Sequence, residues 1–434
     1  MMATRKLFTL LMTICLFAVS GSALAGSRGD NDKNDAGDRS QGYKDTRKID
    51  VMTANLYLGA DIFRIVEAAA DTSDPYAIPT AVTQVFGIVQ ATNFPERAEA
   101  IANSIMKRRP HVIGLQEVSW YRTGDFDPTQ INAENTVYDF LETLMNALGA
   151  RGLDYRVAGI VTNADVEAPM FVSPEYDLAD LRLTDRDVIL VRGDVDAGPA
   201  VTGNYALNAS FALGPEDPDD PEQNKVYFTR GYVMVPVNVM GRSYLFVNSH
   251  LETRLNSDSP FGIVYQFAQA AELAGTVDFA NATYFGNLPV VLVGDLNSDP
   301  SDLPVEVPPE VQAAAGLPPM LYPPYQVFSG AGYTDTWTLR KGRRDSGETC
   351  CHDEALDNTH ENFYERIDHV LFRGNNENIA LQRGRSEVIN DAAEDKTASG
   401  LWQSDHGFVS ASLKLKPMKH SKADDDHDDD DDDD

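Results

Sequence analysis

The sequence predicts one α/β domain in which helices lie outside mixed β-sheets. Two observations lead to this prediction. Short apolar segments of strand length alternate with amphipathic helical segments between residues 49 and 415, and no segment in that span has the composition of a linker. The hydrophobic fraction, 42% of 434 residues, is ordinary for a folded protein. We therefore assign residues 49–416 to a single folded domain.

The spacing of apolar residues predicts each element in order. Strands are expected where apolar residues run together or alternate, at 49–56, 111–116, 188–191, 232–239, 243–248, 290–293, 367–372 and 408–415. Helices are expected where apolar residues recur on one face, at 95–109, 136–148 and 265–279. We expect Asn93 to cap the first helix, with Glu96 three residues later, and Pro110 to end it.

The two ends of the chain differ from this domain in composition. Residues 1–25 combine Arg5 and Lys6, an apolar stretch at 7–19 and small residues before Gly26, which is the pattern of a secretory signal peptide. The apolar stretch is short for a transmembrane anchor, so we expect a secreted or periplasmic protein after cleavage near Ala25. Residues 26–48 predict a flexible linker. Residues 417–434 predict a disordered tail, first Lys-rich and then Asp-rich.

The net charge of −31 limits the partners that the protein can bind. Even without the ten aspartates at 424–426 and 428–434, the body remains acidic. An acidic body argues against a broad basic face that grips nucleic acid, although carboxylates can still hold a metal ion. The tail either collects divalent ions weakly or keeps the protein soluble, and we favour the second role.

Polar residues occupy the ends of the predicted strands, where they contribute amide, carboxylate and imidazole groups. In chain order these residues are Asn55, Glu117, His250, Asp295, Asn297, Asp368, Asp405 and His406. Strand ends that lie side by side make a polar crater on an apolar scaffold. Oxygen ligands suit hard cations such as Mg²⁺ or Ca²⁺, and histidines beside them can relay protons. Each residue alone has a simpler explanation, such as a turn, but the ordered set favours a site.

This ordered set resembles the endonuclease/exonuclease/phosphatase superfamily, which includes deoxyribonuclease I-like nucleases, neutral sphingomyelinases and inositol polyphosphate phosphatases. The matching motifs are Met52-Thr53-Ala54-Asn55, Leu115-Gln116-Glu117, Asn248-Ser249-His250-Leu251, Gly294-Asp295-Leu296-Asn297, Arg366-Ile367-Asp368-His369 and Ser404-Asp405-His406. The resemblance covers nearly the whole body. It implies a four-layer sandwich of two face-to-face mixed β-sheets flanked by helices, and a metal-assisted attack of water on phosphorus.

The resemblance also implies a metal site. Glu117 is expected to be the principal ligand, and Asn55 and Asp405 are expected to lie close to the metal, directly or through water. Mg²⁺ is the expected ion, with Mn²⁺ or Ca²⁺ as alternatives. A cation there would stabilise the negative charge that develops during phosphoester hydrolysis.

Catalytic roles are likewise implied for the remaining matching residues. Asp295 and Asn297 are expected to orient the attacking water and the phosphoryl group. His406 is expected to be the main acid/base or transition-state donor, oriented by Asp368, because an Asp behind a His fixes its tautomer and raises its basicity. His250 is expected to contact the phosphate or assist the leaving group.

Four further residues near these motifs have weaker signals. Asp187 precedes a strand where relatives often carry a substrate-contacting residue, so we consider it a candidate for substrate binding. Asp61 could join the metal shell, but a cap at a helix start is the better explanation. Asp335 is expected to be mainly structural, and His369 should point away from Asp368 because side chains alternate along a strand.

Cys350 and Cys351 are the only cysteines after signal removal. They can form a vicinal disulfide, form an intermolecular bridge or stay reduced, and we favour a structural loop with a vicinal disulfide. His352 follows them, but too few ligands cluster there for a closed zinc site.

Together these observations predict a secreted metal-dependent phosphoester hydrolase, most simply a phosphodiesterase. The alternatives are a deoxyribonuclease I-like endonuclease, a sphingomyelinase-like phospholipase C and, outside the enzymes, a calcium-binding structural protein. The expected partner is a phosphoester substrate (lipid head group, nucleic acid or small molecule), with no obligate protein partner and a monomeric state. Insertions at 214–222, which is acidic, and at 299–324, which carries eight prolines, are surface loops or lids.

Overall fold

The strands of the protein pair into two large mixed sheets. The structure, a computed structural model, describes residues 48–71, 73–212, 225–255, 260–340, 346–375 and 379–417. The predicted signal peptide at 1–25, almost all of the linker and the tail, and the acidic insertion at 214–222 lie outside the described residues. Within the described residues, no helix is both long enough and apolar enough to cross a membrane.

The first sheet contains eight strands among the described residues. They are β1 (Lys48–Asn55), β2 (Val112–Gln116), β3 (Trp120–Asp125), β4 (Asn135–Asp139), β5 (Tyr155–Phe171), β6 (Leu178–Arg192), β18 (Ile379–Ile389) and β19 (Phe408–Pro417). Their order is β18-β19-β1-β2-β6-β3-β4, and β5 also pairs with β6. β1 and β2 are parallel, whereas the other pairs are antiparallel.

The second sheet contains seven strands among the described residues. They are β7 (Asp196–Ala197), β8 (Val201–Asn204), β11 (Gly231–Val239), β12 (Arg242–Ser249), β13 (Val290–Asp295), β16 (Thr334–Asp335) and β17 (Asp368–Arg373). Their order is β16-β17-β13-β12-β11-β7, and β8 pairs with β11. β12 and β13 are parallel. A separate antiparallel pair joins β9 (Ala209–Ala212) to β10 (Lys225–Phe228).

Helices cover the outer face of each sheet. Those of the larger unit are α1 (Phe63–Ala69), α2 (Ala77–Ala91), α3 (Phe94–Arg108), α4 (Phe140–Ala150), α5 (Val264–Ala280) and α7 (Pro324–Gly330). Short helical turns follow at Pro260–Ile263, Asn281–Phe285, Thr336–Leu339 and Ala393–Asp395.

Three apolar cores explain why these elements stack in four layers. One core lies between the sheets, where residues such as Val51 and Val235 meet. A second core joins the first sheet to the helices at its outer face, through residues such as Ile113 and Ile101. A third core joins the second sheet to its own helices, through residues such as Leu273. The predicted sandwich of two face-to-face sheets flanked by helices is confirmed.

The chain divides into two compact units, and the larger one spans Thr46–Leu303 and Tyr322–Asp434. It contains both large sheets. The described part of the smaller unit is Pro304–Leu321, where β14 (Val305–Glu306) pairs antiparallel with β15 (Met320–Leu321) and α6 (Pro309–Ala315) lies between them in sequence.

Two local predictions were wrong. The segment predicted as a helix at 136–148 begins as the strand β4, because its β-branched and aromatic residues pair with β3, and the helix starts only after Asp139. The Asp139 carboxylate accepts the backbone N–H groups of Leu141 and Glu142. Asn93 does not cap α3, because its backbone is left-handed (φ 45°) and its amide donates to Glu96 instead.

Candidate active site

Strand register brings the predicted site residues to one edge of the sandwich. In the first sheet, Asn55 pairs with Gln116 at the ends of parallel β1 and β2, and β19 begins beside the same end. In the second sheet, Asp295 at the end of β13 pairs with Asp368 at the start of β17. The two sheets approach closely below this edge, where the Gln116 amide donates to Asn248 across the sandwich at 2.6 Å.

Gly114 makes that close approach possible. A Cβ atom at this position would lie 2.5 Å from Val293 Cγ2 and 2.7 Å from Asn248 Oδ1, both on the facing sheet. Glycine is therefore required by the packing, and larger residues there would push the two halves of the site apart.

Asn55 links the carboxylates that the two sheets contribute. Its Nδ2 donates to Glu117 Oε1 and to Asp295 Oδ2, each at 3.1 Å, and its Oδ1 accepts the Tyr57 N–H at 2.9 Å. Glu117 Oε2 accepts the Leu58 N–H at 2.7 Å. In this orientation Asn55 holds the two carboxylates, and direct ligation of a metal by its Oδ1 would require the amide to turn.

His406 lies among three carboxylates. Its Nδ1 is 2.9 Å from Asp368 Oδ2, and its Nε2 is 3.7 Å from Asp295 Oδ2 and 4.0 Å from Asp405 Oδ1. The His406 N–H donates to Ser404 Oγ, and that hydroxyl donates to the Asn55 carbonyl at 2.7 Å, which ties the loop before β19 to the end of β1.

Burial and mutual repulsion shift the protonation of this carboxylate cluster. Burial, with nearby Asp405 and Asp185, raises the pKa of Glu117 to about 7, and burial with nearby Asp368 raises the pKa of Asp295 to about 7. Burial also raises the pKa of Asp405. Burial by itself lowers the pKa of His406, but the surrounding carboxylates outweigh it and the pKa lies well above its ordinary value.

His250 lies in a different environment on the other side of Asp295. Arg230 Nη1 is 3.0 Å from His250 Nδ1, while His250 Nε2 is 3.2 Å from Asn297 Nδ2 and 3.5 Å from Asp295 Oδ2. Burial, with the charges of Arg230 and His406, holds the pKa of His250 well below its ordinary value. His250 is therefore a neutral imidazole, and an Nδ1 that accepts from Arg230 leaves its proton on Nε2.

Asp187 holds the backbone of His250 by a hydrogen bond. Its Oδ2 accepts the His250 N–H at 3.1 Å, and the residue is 0% exposed and absent from the surface of the cavity over the site. This position does not favour the predicted direct contact with substrate. Asp185, two residues earlier and on the same face of β6, lines the cavity instead.

Asn297 sits in the turn after β13. Its N–H donates to Asp295 Oδ1 at 3.0 Å, which is the Asx turn considered as a simpler explanation for this motif, and its Nδ2 donates to the Leu251 carbonyl at 2.8 Å. The turn leaves Asp295 Oδ2 directed at Asn55 and the two histidines. The Asx turn and a site role therefore coexist.

A buried arginine holds the backbone on the His406 side. Arg97 is 0% exposed, and its guanidinium donates to the carbonyls of Leu56, Tyr57, Thr92 and Gln403 at 2.7 to 3.2 Å. Burial lowers the pKa of Arg97 to about 10, so the group stays charged near neutral pH. The residue fixes the chain just after Asn55 and just before Asp405.

Three residues that the sequence analysis missed join the site. They are Asp185, Arg230 and Glu252, which all line the same cavity of about 520 Å³ as Glu117, His250, Asp295, Asn297, Asp405 and His406. Glu252 follows His250 by two residues, so the alternation of a strand end could have indicated it. Arg230 lies in the segment before β11, and no sequence pattern distinguishes it there.

Residues outside the cluster have structural partners. His369 points away from Asp368, with its Nε2 2.9 Å from the Ser298 carbonyl. Asp335 accepts the Trp337 N–H and pairs with Arg366 at 2.8 Å. Asp61 accepts the Phe63 N–H at the start of α1.

Cys350 and Cys351 pair with each other as a vicinal disulfide. Both line the cavity, and Cys350 bridges to His406 through its backbone. His352, the next residue, stacks on Trp402 with ring centroids 4.0 Å apart, which accounts for it without a metal.

The sequence matches the Endonuclease/Exonuclease/phosphatase family over residues 52–406, from the first strand to the last site histidine. The chain belongs to this family. Members of the endonuclease/exonuclease/phosphatase family are phosphoester hydrolases and typically depend on a divalent cation, so this chain is a phosphoesterase of that family. A comparison with curated proteins found no match.

Solved structures of three other proteins illustrate how distant the structural neighbours of this family member are. Truncated TDP2 of Caenorhabditis elegans is 14% identical, with 85% of this chain and 97% of that chain covered and a TM-score of 0.44. The mannosyl-6-phosphatase Bt3783 of Bacteroides thetaiotaomicron is 17% identical (84% and 99% covered, TM-score 0.43). A family protein from Leptotrichia buccalis is 13% identical (84% and 99% covered, TM-score 0.43).

The residues of the site fit the cation that the family typically uses. The donors are oxygen atoms of carboxylates and amides, which Mg²⁺ and Ca²⁺ prefer. Glu117 and Asp405, the expected ligands, line the cavity together with Asp185, and the three carboxylates lie close enough for the charges of Asp405 and Asp185 to add to burial in raising the pKa of Glu117. Carboxylates packed this closely repel one another, and a divalent cation would relieve that repulsion.

Proposed function

We propose that this family member is an exported, divalent-metal-dependent phosphodiesterase in which water attacks phosphorus. The observation that supports the proposal most strongly is the meeting of Glu117, Asp295, Asp368 and His406 at one edge of the two sheets. A buried His–Asp pair beside a repelling carboxylate cluster is expensive to maintain for stability alone, and such arrangements concentrate at catalytic sites.

The metal would be held by Glu117, with Asp405 and Asn55 beside it. When bound, a divalent cation polarises the phosphoryl oxygen and offsets the charge of the transition state. Glu117 is suited to this role because its carboxylate is oriented by Asn55 and by the Leu58 N–H. Metal binding also requires a deprotonated Glu117, and its pKa of about 7 makes binding weaken as the pH falls.

Proton movement is divided between Asp295 and His406. The raised pKa of Asp295 lets its carboxylate accept a proton from the attacking water near neutral pH. His406, with Asp368 at Nδ1, directs Nε2 towards the same centre and donates a proton to the developing negative oxygen. His250 and Asn297 offer neutral N–H groups to the phosphoryl oxygens.

Hydrolysis of bis-p-nitrophenyl phosphate tests this function. The full-length protein should release p-nitrophenolate with Mg²⁺, Mn²⁺ or Ca²⁺ and lose this activity in EDTA. Glu117→Gln keeps the size of the side chain but removes its charge, so we expect kcat/KM to fall by about 100-fold or more. Glu142→Gln, an exposed position on α4, is the matched control and should behave as the wild type.

Two results would refute the proposal. The first is an absence of metal-dependent hydrolysis of this diester and of DNA, RNA, sphingomyelin and phosphatidylinositol phosphates. The second is hydrolysis that Glu117→Gln leaves intact, because the activity would then arise elsewhere. Deleting residues 417–434 distinguishes the enzyme from the calcium-binding structural protein. The enzyme should keep its turnover without the tail, whereas the structural protein would lose its function.

Export is the remaining part of the proposal, and it is supported by the composition of residues 1–25. N-terminal sequencing of the protein recovered outside the cytoplasm should begin at Gly26. Recovery of the chain inside the cytoplasm with its initiating Met would contradict export without affecting the enzymatic assignment.

A further inference from the structure

We propose that the cavity takes a phosphodiester whose alcohol carries a positively charged ammonium group, bound by Glu252, Asp185 and three phenylalanines. The inference rests on the phosphodiesterase function proposed above and names the substrate class of the same site. Three features of the cavity lead to it: its charge, two carboxylate oxygens without partners among the described residues, and an aromatic wall.

Carboxylates dominate the lining of the cavity. Among the described residues that line it, ten carry carboxylates and two are arginines, Arg230 and Arg254. Arg230 is already paired with Glu252 at 3.2 Å, and one bound divalent cation would offset only two of the negative charges. A concave site of this sign repels dianionic monoesters and polyanions, and it concentrates cations.

Two buried carboxylate oxygens in this lining have no hydrogen-bond partner among the described residues. They are Glu252 Oε2 and Asp185 Oδ1, on residues that are 1% and 5% exposed. The other oxygen of each group is occupied: Glu252 Oε1 accepts from Arg230 and from the Thr253 N–H, and Asp185 Oδ2 accepts from Asn163 at 3.2 Å. An unpartnered buried oxygen is costly, and a cationic ligand group would remove that cost.

An aromatic wall lines the same cavity. It consists of Phe63 from α1, Phe211 from β9 and Phe228 from β10, and we call it the phenylalanine wall. The ring centroids lie 5.9 Å (Phe63 to Phe211), 6.3 Å (Phe63 to Phe228) and 5.4 Å (Phe211 to Phe228) apart. Aromatic faces attract ammonium groups, most strongly quaternary ones with methyl groups that also gain from apolar contact.

The combination distinguishes an ammonium group from other ligands. An uncharged aryl or alkyl group would use the phenylalanine wall and leave the two carboxylate oxygens unpartnered. A bare inorganic cation would use the carboxylates and gain nothing from the wall. An ammonium group on a short alkyl chain satisfies both, and a diester carries only one negative charge into this acidic cavity.

The reaction on such a substrate balances without any co-reactant. The oxygen of water forms a bond to phosphorus, and the bond between phosphorus and the leaving oxygen breaks. The leaving oxygen departs with its electron pair, and the proton released by water neutralises it or passes to solvent. The products are an alcohol or phenol and a phosphomonoester.

A pair of isosteric substrates tests the proposal. The substrates are p-nitrophenyl phosphorylcholine and p-nitrophenyl 3,3-dimethylbutyl phosphate, in which carbon replaces the charged nitrogen. With Mg²⁺ and the full-length protein, kcat/KM should be about tenfold or more higher for the charged substrate. Glu252→Gln and Phe211→Leu should each lower this ratio towards one. Because both substrates are measured on the same variant, the ratio cancels any effect that Glu252→Gln exerts on catalysis through Arg230.

Results that overturn ammonium binding differ from results that overturn the phosphodiesterase function. A ratio of one in the wild type, with Glu117-dependent hydrolysis of bis-p-nitrophenyl phosphate intact, overturns this inference alone. A ratio that Glu252→Gln leaves unchanged while the Mg²⁺ dependence shifts assigns the oxygens to an inorganic cation and also overturns it. No turnover of any of these diesters overturns the function itself.

The same ammonium chemistry occurs on soluble diesters and on lipid head groups. Release of choline or phosphocholine from glycerophosphocholine, compared with release from vesicles of phosphatidylcholine or sphingomyelin, separates the two sources. Turnover of glycerophosphocholine alone assigns the cavity to a soluble diester, whereas turnover of vesicles alone assigns it to a lipid surface. Either result supports binding of the ammonium group.

Discussion

The two histidines of the site sit in opposite electrostatic environments although both are buried beside Asp295. His406 has a carboxylate at Nδ1 and two more near Nε2, so its positive form is favoured. His250 is buried and has a guanidinium at Nδ1, and burial first and the Arg230 charge second hold its pKa well below its ordinary value, so its neutral form is favoured. The difference indicates that one histidine supplies charge and a proton while the other supplies only a neutral hydrogen bond.

Replacing each histidine in turn should give the largest effects on turnover. We expect His406→Asn to lower kcat for bis-p-nitrophenyl phosphate by about 10³-fold, because it removes a proton donor. His250→Asn should cost about 10²-fold, because an amide still donates a neutral hydrogen bond. Steady-state kinetics at saturating Mg²⁺ measures both, and a larger loss for His250→Asn would reverse the assignment of roles.

Removing the buried Arg97 should loosen the backbone on the His406 side of the site and leave the His250 side intact. Arg97→Met leaves four carbonyl groups without their donor, so we expect the free energy of unfolding to fall by about 3 kcal/mol. Urea denaturation measures the change. Arg97→Lys keeps the charge but cannot reach all four carbonyls, so its free energy of unfolding should lie between those of Arg97→Met and the wild type. Stability equal to that of the wild type in Arg97→Met would show that the guanidinium does not hold this backbone.

Removing the cation beside His250 should make the two histidines more alike. Arg230 opposes protonation of His250, so Arg230→Met should raise the pKa of His250. Side-chain ¹H–¹⁵N NMR of the histidines follows this titration. Arg230→Lys keeps a positive charge and should leave the pKa low. An unchanged pKa in Arg230→Met would mean that burial alone keeps His250 neutral.

The smallest effect is expected at Asp187, whose carboxylate accepts the backbone N–H of His250 and does not line the cavity. Asp187→Asn retains an oxygen that can accept the His250 N–H, so kcat and KM should each stay within about threefold of the wild type. Asp187→Ala removes the acceptor and should mainly lower stability. A large rise in KM for Asp187→Asn would restore the direct substrate contact expected from the sequence.

Prediction from the sequence succeeded where a residue's position depends on strand ends. Asn55, Glu117 and Asp295 lie where apolar strands end in a polar residue, and Asp368 opens a strand. Parallel or antiparallel register then brings them together. The order of these motifs along the chain also indicated the four-layer fold.

Prediction failed where position depends on contacts between distant segments. Arg230 lies in the segment before β11, and its place beside His250 depends on how β11 and β12 pair. Arg97 falls on the apolar face of α3, and a charged residue in an apolar stripe was a signal that could have marked it. The phenylalanine wall joins α1 to β9 and β10, so no local pattern reveals it.

A double-mutant cycle between His406 and Asp368 tests most directly whether the carboxylate at Nδ1 gives His406 its role. If His406 acts through the carboxylate at its Nδ1, Asp368→Asn alone should lower kcat by about 10²-fold, and the double variant should fall within about threefold of His406→Asn. The matching cycle between His406 and Arg230 should show losses that multiply, because Arg230 acts on the other histidine. If the losses in kcat for His406→Asn and Asp368→Asn multiply in the double variant, the two residues act independently, and the dependence of His406 on Asp368 is contradicted.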